Sequence, residues 1–81
     1  MRFEWDARKA KVNLQKHSVS FEEASTGDGP DHSFGERRFV TFGLSSFGRL
    51  LVVAHAERGD AIRIISARQA TRADRKLYEE G

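Results

Sequence analysis

Apolar and polar residues near the N-terminus alternate first with the period of a strand and then with that of a helix. Phe3 and Trp5 are separated by one polar residue, which predicts a short strand or an extended lead-in. Asp6 can then cap a helix over residues 7–16, which we expect to end near residues 17–18. The buried stripe predicted for this helix consists of Ala7, Ala10 and Leu14.

A second, short helix follows. Ser20 and Glu23 have the spacing of a capping box, and Phe21 and Ala24 can pack inward. Residues 25–36 are rich in glycine, aspartate and serine and contain almost nothing apolar. This composition predicts a loop.

Three strands are predicted in the second half of the chain. Residues 38–42 would place Arg38, Val40 and Phe42 on one face of a strand and Phe39 and Thr41 on the other. Residues 49–56 are apolar on both faces, as expected of a central strand that is covered on both sides. A turn at residues 59–60 precedes the third strand, at residues 62–68. Because short connections join them, we expect an antiparallel meander.

The last of these strands carries two arginines. Simple alternation assigns Ile62, Ile64, Ser66 and Arg68 to one face, and Arg63, Ile65 and Ala67 to the other. Each face would then hold one guanidinium, and burying it without a partner would be costly. Since the guanidinium fork matches phosphate or carboxylate, we expect an anion beside this strand.

The chain closes with a predicted helix. Thr71 and Asp74 have the spacing of a cap, and Ala70, Ala73 and Leu77 would form the buried face. The fold class predicted for residues 1–81 is therefore α+β in one domain, with two N-terminal helices, an antiparallel meander of three or four strands and a C-terminal helix.

Composition restricts the class of protein. With 81 residues only one modest core can form, and the absence of cysteine excludes disulfides and thiolate metal sites. No apolar run is long enough for a membrane span, so we expect a cytoplasmic protein that does not bind a membrane.

The charges are segregated along the chain. Residues 1–17 and 37–81 are mainly basic, whereas residues 18–36 contain acids but no lysine or arginine. If the two basic parts meet in space, they form a surface suited to RNA. The alternative is an ordinary solvated surface of mixed charge.

Several short motifs occur in an order known from one family. They are F-E-W-D at 3–6, K-H-S-V-S-F-E-E-A at 16–24, G-R-L-L-V-V at 48–53, E-R-G-D at 57–60, R-I-I-S-A-R at 63–68, and Tyr78. With these motifs the sequence resembles the BrnT toxins, the toxin half of a type II toxin–antitoxin pair.

The resemblance implies a RelE-like fold and an endoribonuclease, a hydrolase that inhibits translation. It implies RNA and a BrnA-like antitoxin as partners, with DNA bound only indirectly through the antitoxin. It is also compatible with a homodimer or a heterotetramer with the antitoxin.

Two positions depart from the family pattern. Ser18 stands where the family has a glycine in the left-handed conformation, at a cost of about 1 kcal/mol if that conformation is kept. The segment after Ala24 is shorter than in the family, which predicts either a sheet without its first strand and with an open edge, or a sequence from which a segment is omitted. The alternative function is accordingly a non-catalytic module that binds RNA or protein through a basic surface.

RNA cleavage without a metal ion needs a proton acceptor, a cation for the charge on phosphorus and a proton donor for the leaving oxygen. Arginine and lysine supply cations, and histidine, glutamate or tyrosine can transfer protons. The predicted catalytic residues are His17, Glu57, Arg63, Arg68 and Tyr78. The predicted RNA-binding residues are Lys9, Lys16, Arg58 and Arg72.

Each candidate also has a structural explanation. Either arginine of the last strand could pair with Glu57, Asp74 or Glu79 and hold the closing helix. His17 could cap a helix, Glu57 and Arg58 could be a solvated pair, Tyr78 could pack on the sheet, and His55 could be a core residue.

No metal or cofactor is expected. The histidines, at positions 17, 32 and 55, lack the spacing of a metal site. The glycines at 27 and 29 precede neither a lysine nor a helix start, as a phosphate-binding loop would require.

Overall fold

A computed structural model of the chain describes residues 2–26, 31–35 and 37–80, with only the backbone of 31–35. The elements are β1 (Arg2–Glu4), α1 (Ala7–His17), α2 (Phe21–Ala24), β2 (Asp31–Gly35), β3 (Arg38–Leu44), β4 (Leu50–Arg58), β5 (Ala61–Gln69) and α3 (Arg72–Glu80). The predicted α+β class and the order of helices and strands are thereby confirmed.

The strands form one five-stranded sheet in the order β1-β5-β4-β3-β2. Strands β2 to β5 make an antiparallel meander of four strands, in agreement with the prediction. Strand β1 adds a fifth strand parallel to β5, with Arg2 opposite Ala61 and Glu4 opposite Arg63. The pairing of β1 ends there, so the second half of β5 needs another neighbour.

The prediction of a loop over residues 25–36 is wrong for residues 31–35, while residues 27–30 and 36 lie outside the described residues. Asp31, His32 and Ser33 pair with residues 41, 40 and 39 of β3. The ladder with β3 supplies the backbone hydrogen bonds, so strand formation here does not need an apolar pattern. The expectation of a missing strand is also wrong.

The hydrophobic core lies between the two N-terminal helices and one face of the sheet. Its buried members are Val19, Phe21, Ala24, Leu51, Val53, Ile64 and Ala67. Trp5 meets Phe21 edge-on, with ring centroids 6.1 Å apart. The Glu23 N–H donates to Ser20 Oγ at 3.0 Å, which confirms the predicted cap of α2 and the inward orientation of Phe21.

Helix α1 is held on the sheet by a polar residue. Asp6 caps its start as predicted, accepting from the Arg8 N–H at 2.8 Å, but the buried residue of α1 is Asn13, and Leu14 is 50% exposed. The Asn13 Nδ2 group donates to Ala67 O at 2.8 Å, and the Ala67 N–H donates to Asn13 Oδ1 at 3.1 Å. Of the predicted apolar stripe, Ala10 packs against the core, whereas Ala7 and Leu14 are exposed, because this helix pairs with the open edge of β5 through an amide.

Helix α3 is attached mainly through Asp74. Its carboxylate accepts from the Arg68 guanidinium at 2.5 Å and from the Thr71 N–H at 2.8 Å, which confirms the predicted cap. Asp74 and Tyr78 are half-buried, whereas Leu77, predicted to be buried, is 60% exposed. The Arg68 hydrogen bond, followed by the Thr71 N–H, lowers the pKa of Asp74 to about 2.

Replacing Asn13 by alanine should destabilise the fold. The change leaves the buried N–H and C=O groups of Ala67 and the carbonyl of Val19, which accepts from Asn13 Nδ2 at 2.9 Å, without this partner. Since each such group costs about 1–3 kcal/mol, urea denaturation should show a loss of at least about 2 kcal/mol. The control is Gln15→Ala, an exposed site on the same helix, and equal stability of the two variants would contradict the prediction.

Acid should release α3 before it unfolds the core. The folded-state pKa of Asp74 lies below the ordinary value of 3.8, so its contribution is complete above pH 4 and is lost as the pH falls towards 2. We expect the amide protons of residues 75–80 to lose exchange protection in this range, and to lose it at neutral pH in Asp74→Asn. Protection that is the same in both proteins at pH 7 would contradict this.

Candidate nucleic-acid interface

A bulge in β5 brings the two predicted catalytic arginines onto one face of the sheet. Ala54 pairs with Ser66, and the next residue, His55, pairs with Ile64. Ile65 therefore has no cross-strand partner on β4 and is the extra residue of the bulge. Beyond the bulge the alternation is inverted. Arg63 lies opposite Ala56 and Arg68 opposite Val52, and these two β4 residues share the face that points away from the core helices.

The prediction that the arginines occupy opposite faces is therefore wrong. Cross-strand partners lie on the same face, and β3 pairs with β4 without irregularity, which also places Arg38 opposite Ala56. We call the face that carries Arg38, Arg63 and Arg68 the arginine face.

A cationic groove runs between α1 and the neighbouring edge of β5. It has a volume of about 430 Å³ and is lined by Arg8, Lys9, Val12, Asn13, Lys16, His17, Ile65 and Ser66. Its charged lining consists of Arg8, Lys9 and Lys16, and within the described part of the chain no carboxylate lines it. We call it the α1 groove. It brings together three predicted residues, Lys9, Lys16 and His17.

The groove and the arginine face meet at the bulge. Ile65 and Ser66 form the β5 side of the groove, and Arg63 and Arg68 flank them in sequence. Arg63 is half-buried and forms no ion pair with any described side chain, since its neighbour Glu4 lies 3.9 Å from Arg58 instead. The backbone N–H groups of Lys9 and Arg8 lower the pKa of the Asp6 carboxyl, and the charge of Arg63 lowers it slightly further.

Arg68 is engaged with Asp74, which agrees with the structural explanation given above for it. Its side chain is nevertheless 42% exposed, and a guanidinium has five N–H donors, so donors beyond the Asp74 bond remain for an anion. Tyr78 lies one turn after Asp74 on the same side of α3, whereas Arg72 is exposed at the start of that helix.

Glu57 and Arg58 lie at the other end of the sheet. Asp6 is near Arg63, and Asn13 forms hydrogen bonds with Ala67, so α1 runs along β5 in the same direction as the strand. His17, at the end of α1, therefore lies further along the strand direction than Ala67. Glu57 pairs with Ile62, five residues before Ala67, which corresponds to about 16 Å along the strand. The structure therefore does not bring Glu57 next to the α1 groove.

His55 and Glu57 line a separate pocket of about 320 Å³ beside the β4–β5 turn. His55 is buried, its ring stacks on Phe39 with centroids 5.8 Å apart, and Nε2 lies 2.6 Å from Thr41 Oγ1. These contacts agree with the expectation of a core histidine.

Two residues of the groove, Arg8 and Asn13, are not among the site residues predicted from the sequence, yet both line it. The spacing of positions 8, 9, 12, 13, 16 and 17 is that of one helical face and could have shown that these side chains act together.

Among residues 2–26, 31–35 and 37–80, no group of three or more potential metal ligands is found. The helices of this described part are too short and too polar to cross a membrane.

Comparison with known proteins agrees with this geometry. The family profile described as ribonuclease toxin, BrnT, of type II toxin–antitoxin system matches residues 5–74. The 1.1 Å crystal structure of the Brucella abortus ribonuclease toxin BrnT superimposes with a TM-score of 0.72 at 23% sequence identity, covering 89% of this chain and 99% of that one. No curated protein matches the sequence.

At this identity the structural match supports the fold, and the profile match supports the family. The profile match spans the capped helix α1, the whole sheet beyond β1 and the Arg68–Asp74 pair. The chain therefore belongs to the BrnT family of ribonuclease toxins of type II toxin–antitoxin systems.

Proposed function

We propose that this protein is a metal-independent endoribonuclease that cleaves RNA by acid–base catalysis, inhibits translation and is neutralised by a BrnA-like antitoxin. The observation that carries the proposal is the bulge at Ile65, which sets Arg63 and Arg68 on one face beside the α1 groove. Cations from two elements thus converge on one stretch of β5.

The cations have distinct roles in the proposal. Lys9 and Lys16 in the groove and Arg72 at the start of α3 bind the RNA backbone through phosphate contacts. Arg63 stabilises the additional negative charge on the reacting phosphorus, because it forms no ion pair with a described side chain. Arg68 adds donors from the same face.

Proton transfer is assigned to His17 and Tyr78. His17 is half-buried in the groove and adjoins the lysine that binds phosphate. Tyr78 lies on the Asp74 side of α3 and supplies a hydroxyl near the Arg68 end of the site. Glu57 lies far along the sheet from His17, but its cross-strand partner Ile62 adjoins Arg63, so the proposal keeps Glu57 as a further candidate for proton transfer at that end. Arg58 contacts a more distant nucleotide.

The antitoxin is proposed to cover the same surface, because an active nuclease has to be kept silent and a cationic groove attracts an acidic segment. DNA is then bound only through the antitoxin. The assembly is a homodimer of this chain or a heterotetramer with the antitoxin.

Cleavage of RNA in the presence of chelator tests the proposal. The variant Arg63→Ala lacks the charge that faces phosphorus, and we expect it to cleave RNA about 100-fold or more slowly than the unmodified protein. The matched control is Lys11→Ala, an exposed cation of α1 that does not line the groove, and its rate should equal that of the unmodified protein. Equal cleavage by all three proteins would indicate a contaminating nuclease.

The same assay separates the enzyme from a binding module. Binding that weakens steeply with salt, without cleavage by any variant, would overturn the nuclease and favour the module, because phosphate contacts release counterions. Lys16→Ala should reduce the slope of log K against log salt by about 1.

A comparison of Arg68→Ala with Asp74→Asn should separate catalysis from attachment of α3. Both changes break the Arg68–Asp74 pair, but only the first removes the guanidinium. Because Asp74→Asn also releases α3 with Tyr78, we expect its cleavage rate to fall, and the rate of Arg68→Ala to fall at least about tenfold further. If the two rates fall equally, Arg68 serves only to hold the helix.

A further inference from the structure

We propose that Arg49 is a positioning residue, which clamps the end of α1 and thereby fixes His17 in the α1 groove. This inference rests on the role of His17 in the proposed function. Arg49 is the second residue of the G-R-L-L-V-V run, lies outside the groove and the arginine face, and touches neither reacting group.

The clamp starts at a buried carboxylate. The Glu23 side chain is only 2% exposed, and it accepts from Arg49 through both carboxylate oxygens, with Nε bound to Oε2 at 2.9 Å. Ser45 Oγ donates to the same Oε2 at 2.7 Å. The Arg49 hydrogen bonds lower the pKa of Glu23 and outweigh the opposing effect of burial, so the carboxyl is ionised and its orientation is set by three bonds.

The clamp ends at the residue after His17. Arg49 Nη2 donates to the Ser18 carbonyl at 3.0 Å, and the Ser18 N–H donates to Leu14 O at 2.9 Å. Ser18 has φ of 58°, the left-handed conformation that favours glycine. A serine keeps this conformation only where its surroundings impose it, and these two bonds do so.

The next residue is fixed from the other side. Val19 is fully buried, and its carbonyl accepts from Asn13 Nδ2 at 2.9 Å. The chain on the C-terminal side of His17 is thus held by Arg49 and by Asn13, which also bonds Ala67 on β5. Through these contacts α1 is docked at its middle and at its end, and the position of His17 relative to Ile65 and Ser66 is set.

The arrangement explains why an arginine is needed. Its planar fork reaches two carboxylate oxygens and a carbonyl at once, whereas a lysine is a single point charge. Without the clamp, Ser18 can relax towards an ordinary conformation and the last turn of α1 can turn away from the groove. A displacement of about 1 Å of a group that transfers a proton costs up to about 100-fold in rate.

Kinetics on folded variants test the inference. Arg49→Lys keeps a charge beside Glu23 but cannot span to Ser18, and we expect its kcat to fall at least about tenfold. KM for RNA should change less, because Lys9 and Arg72 lie outside the last turn of α1. We expect a similar fall in kcat for Arg49→Ala. The control for stability is Leu51→Val in the core, which leaves the clamp intact and should keep its kcat wherever it is folded.

Rescue provides a second measurement. Glycine at position 18 adopts the left-handed conformation without help, so Ser18→Gly combined with Arg49→Lys should recover kcat to within about threefold of the unmodified protein. Unchanged kcat in folded Arg49→Lys, or a loss equal to that of Leu51→Val at matched stability, would overturn the positioning role.

The NMR signals of the His17 imidazole separate this inference from the proposed function. In Arg49→Lys they should shift or broaden, and in the double variant they should return. If the unmodified protein does not cleave RNA, the nuclease proposal fails, while the imidazole signals still decide whether Arg49 holds the end of α1. Identical His17 signals in Arg49→Lys and the unmodified protein would overturn the clamp.

Discussion

The open edge of β5 is the constraint on which the rest of the structure depends. Strand β1 pairs with β5 only as far as Arg63, and the N–H and C=O groups of Ala67 must then find partners elsewhere. The amide of Asn13 provides both, in the manner of a neighbouring strand. A polar residue therefore decides where α1 lies, and the apolar core closes around that contact.

The same edge accounts for the charge distribution. Because α1 is docked through Asn13, the residues one turn before and after it, Lys9 and Lys16, flank the edge of β5. The bulge at Ile65 turns both arginines of β5 towards the opposite face of the sheet from the core. Positive charge that is dispersed along the chain is collected around a few residues of one strand.

Ion pairs determine which of these charges remain available to a ligand. Arg49 is committed to Glu23, Arg68 is partly committed to Asp74, and Arg58 lies near Glu4. Arg63 forms no such ion pair with any described side chain, and within the same part of the chain the α1 groove is lined by three cations and no carboxylate. The buried Glu23–Arg49 pair orders the backbone around Ser18 rather than adding much stability, since desolvation offsets much of its attraction.

Local rules were sufficient where a segment makes its own hydrogen bonds or buries its own face. The caps at Asp6, Ser20 and Thr71 and the doubly buried strand β4 follow from short patterns, since partner and signal lie within a few residues of each other. The ordered motifs likewise indicated the family that the profile match supports. Strand β2 could not be predicted in this way, because its pairing with β3 and not its composition makes it a strand.

The sequence by itself determined the order of the elements, their caps and the residue types that can bind phosphate. Only the tertiary structure decided which faces those residues occupy. One inserted residue at Ile65 inverts the alternation of β5, and one amide at Asn13 replaces the expected apolar stripe of α1. Both depend on contacts between residues far apart in the chain, which no local period of two or 3.6 residues records.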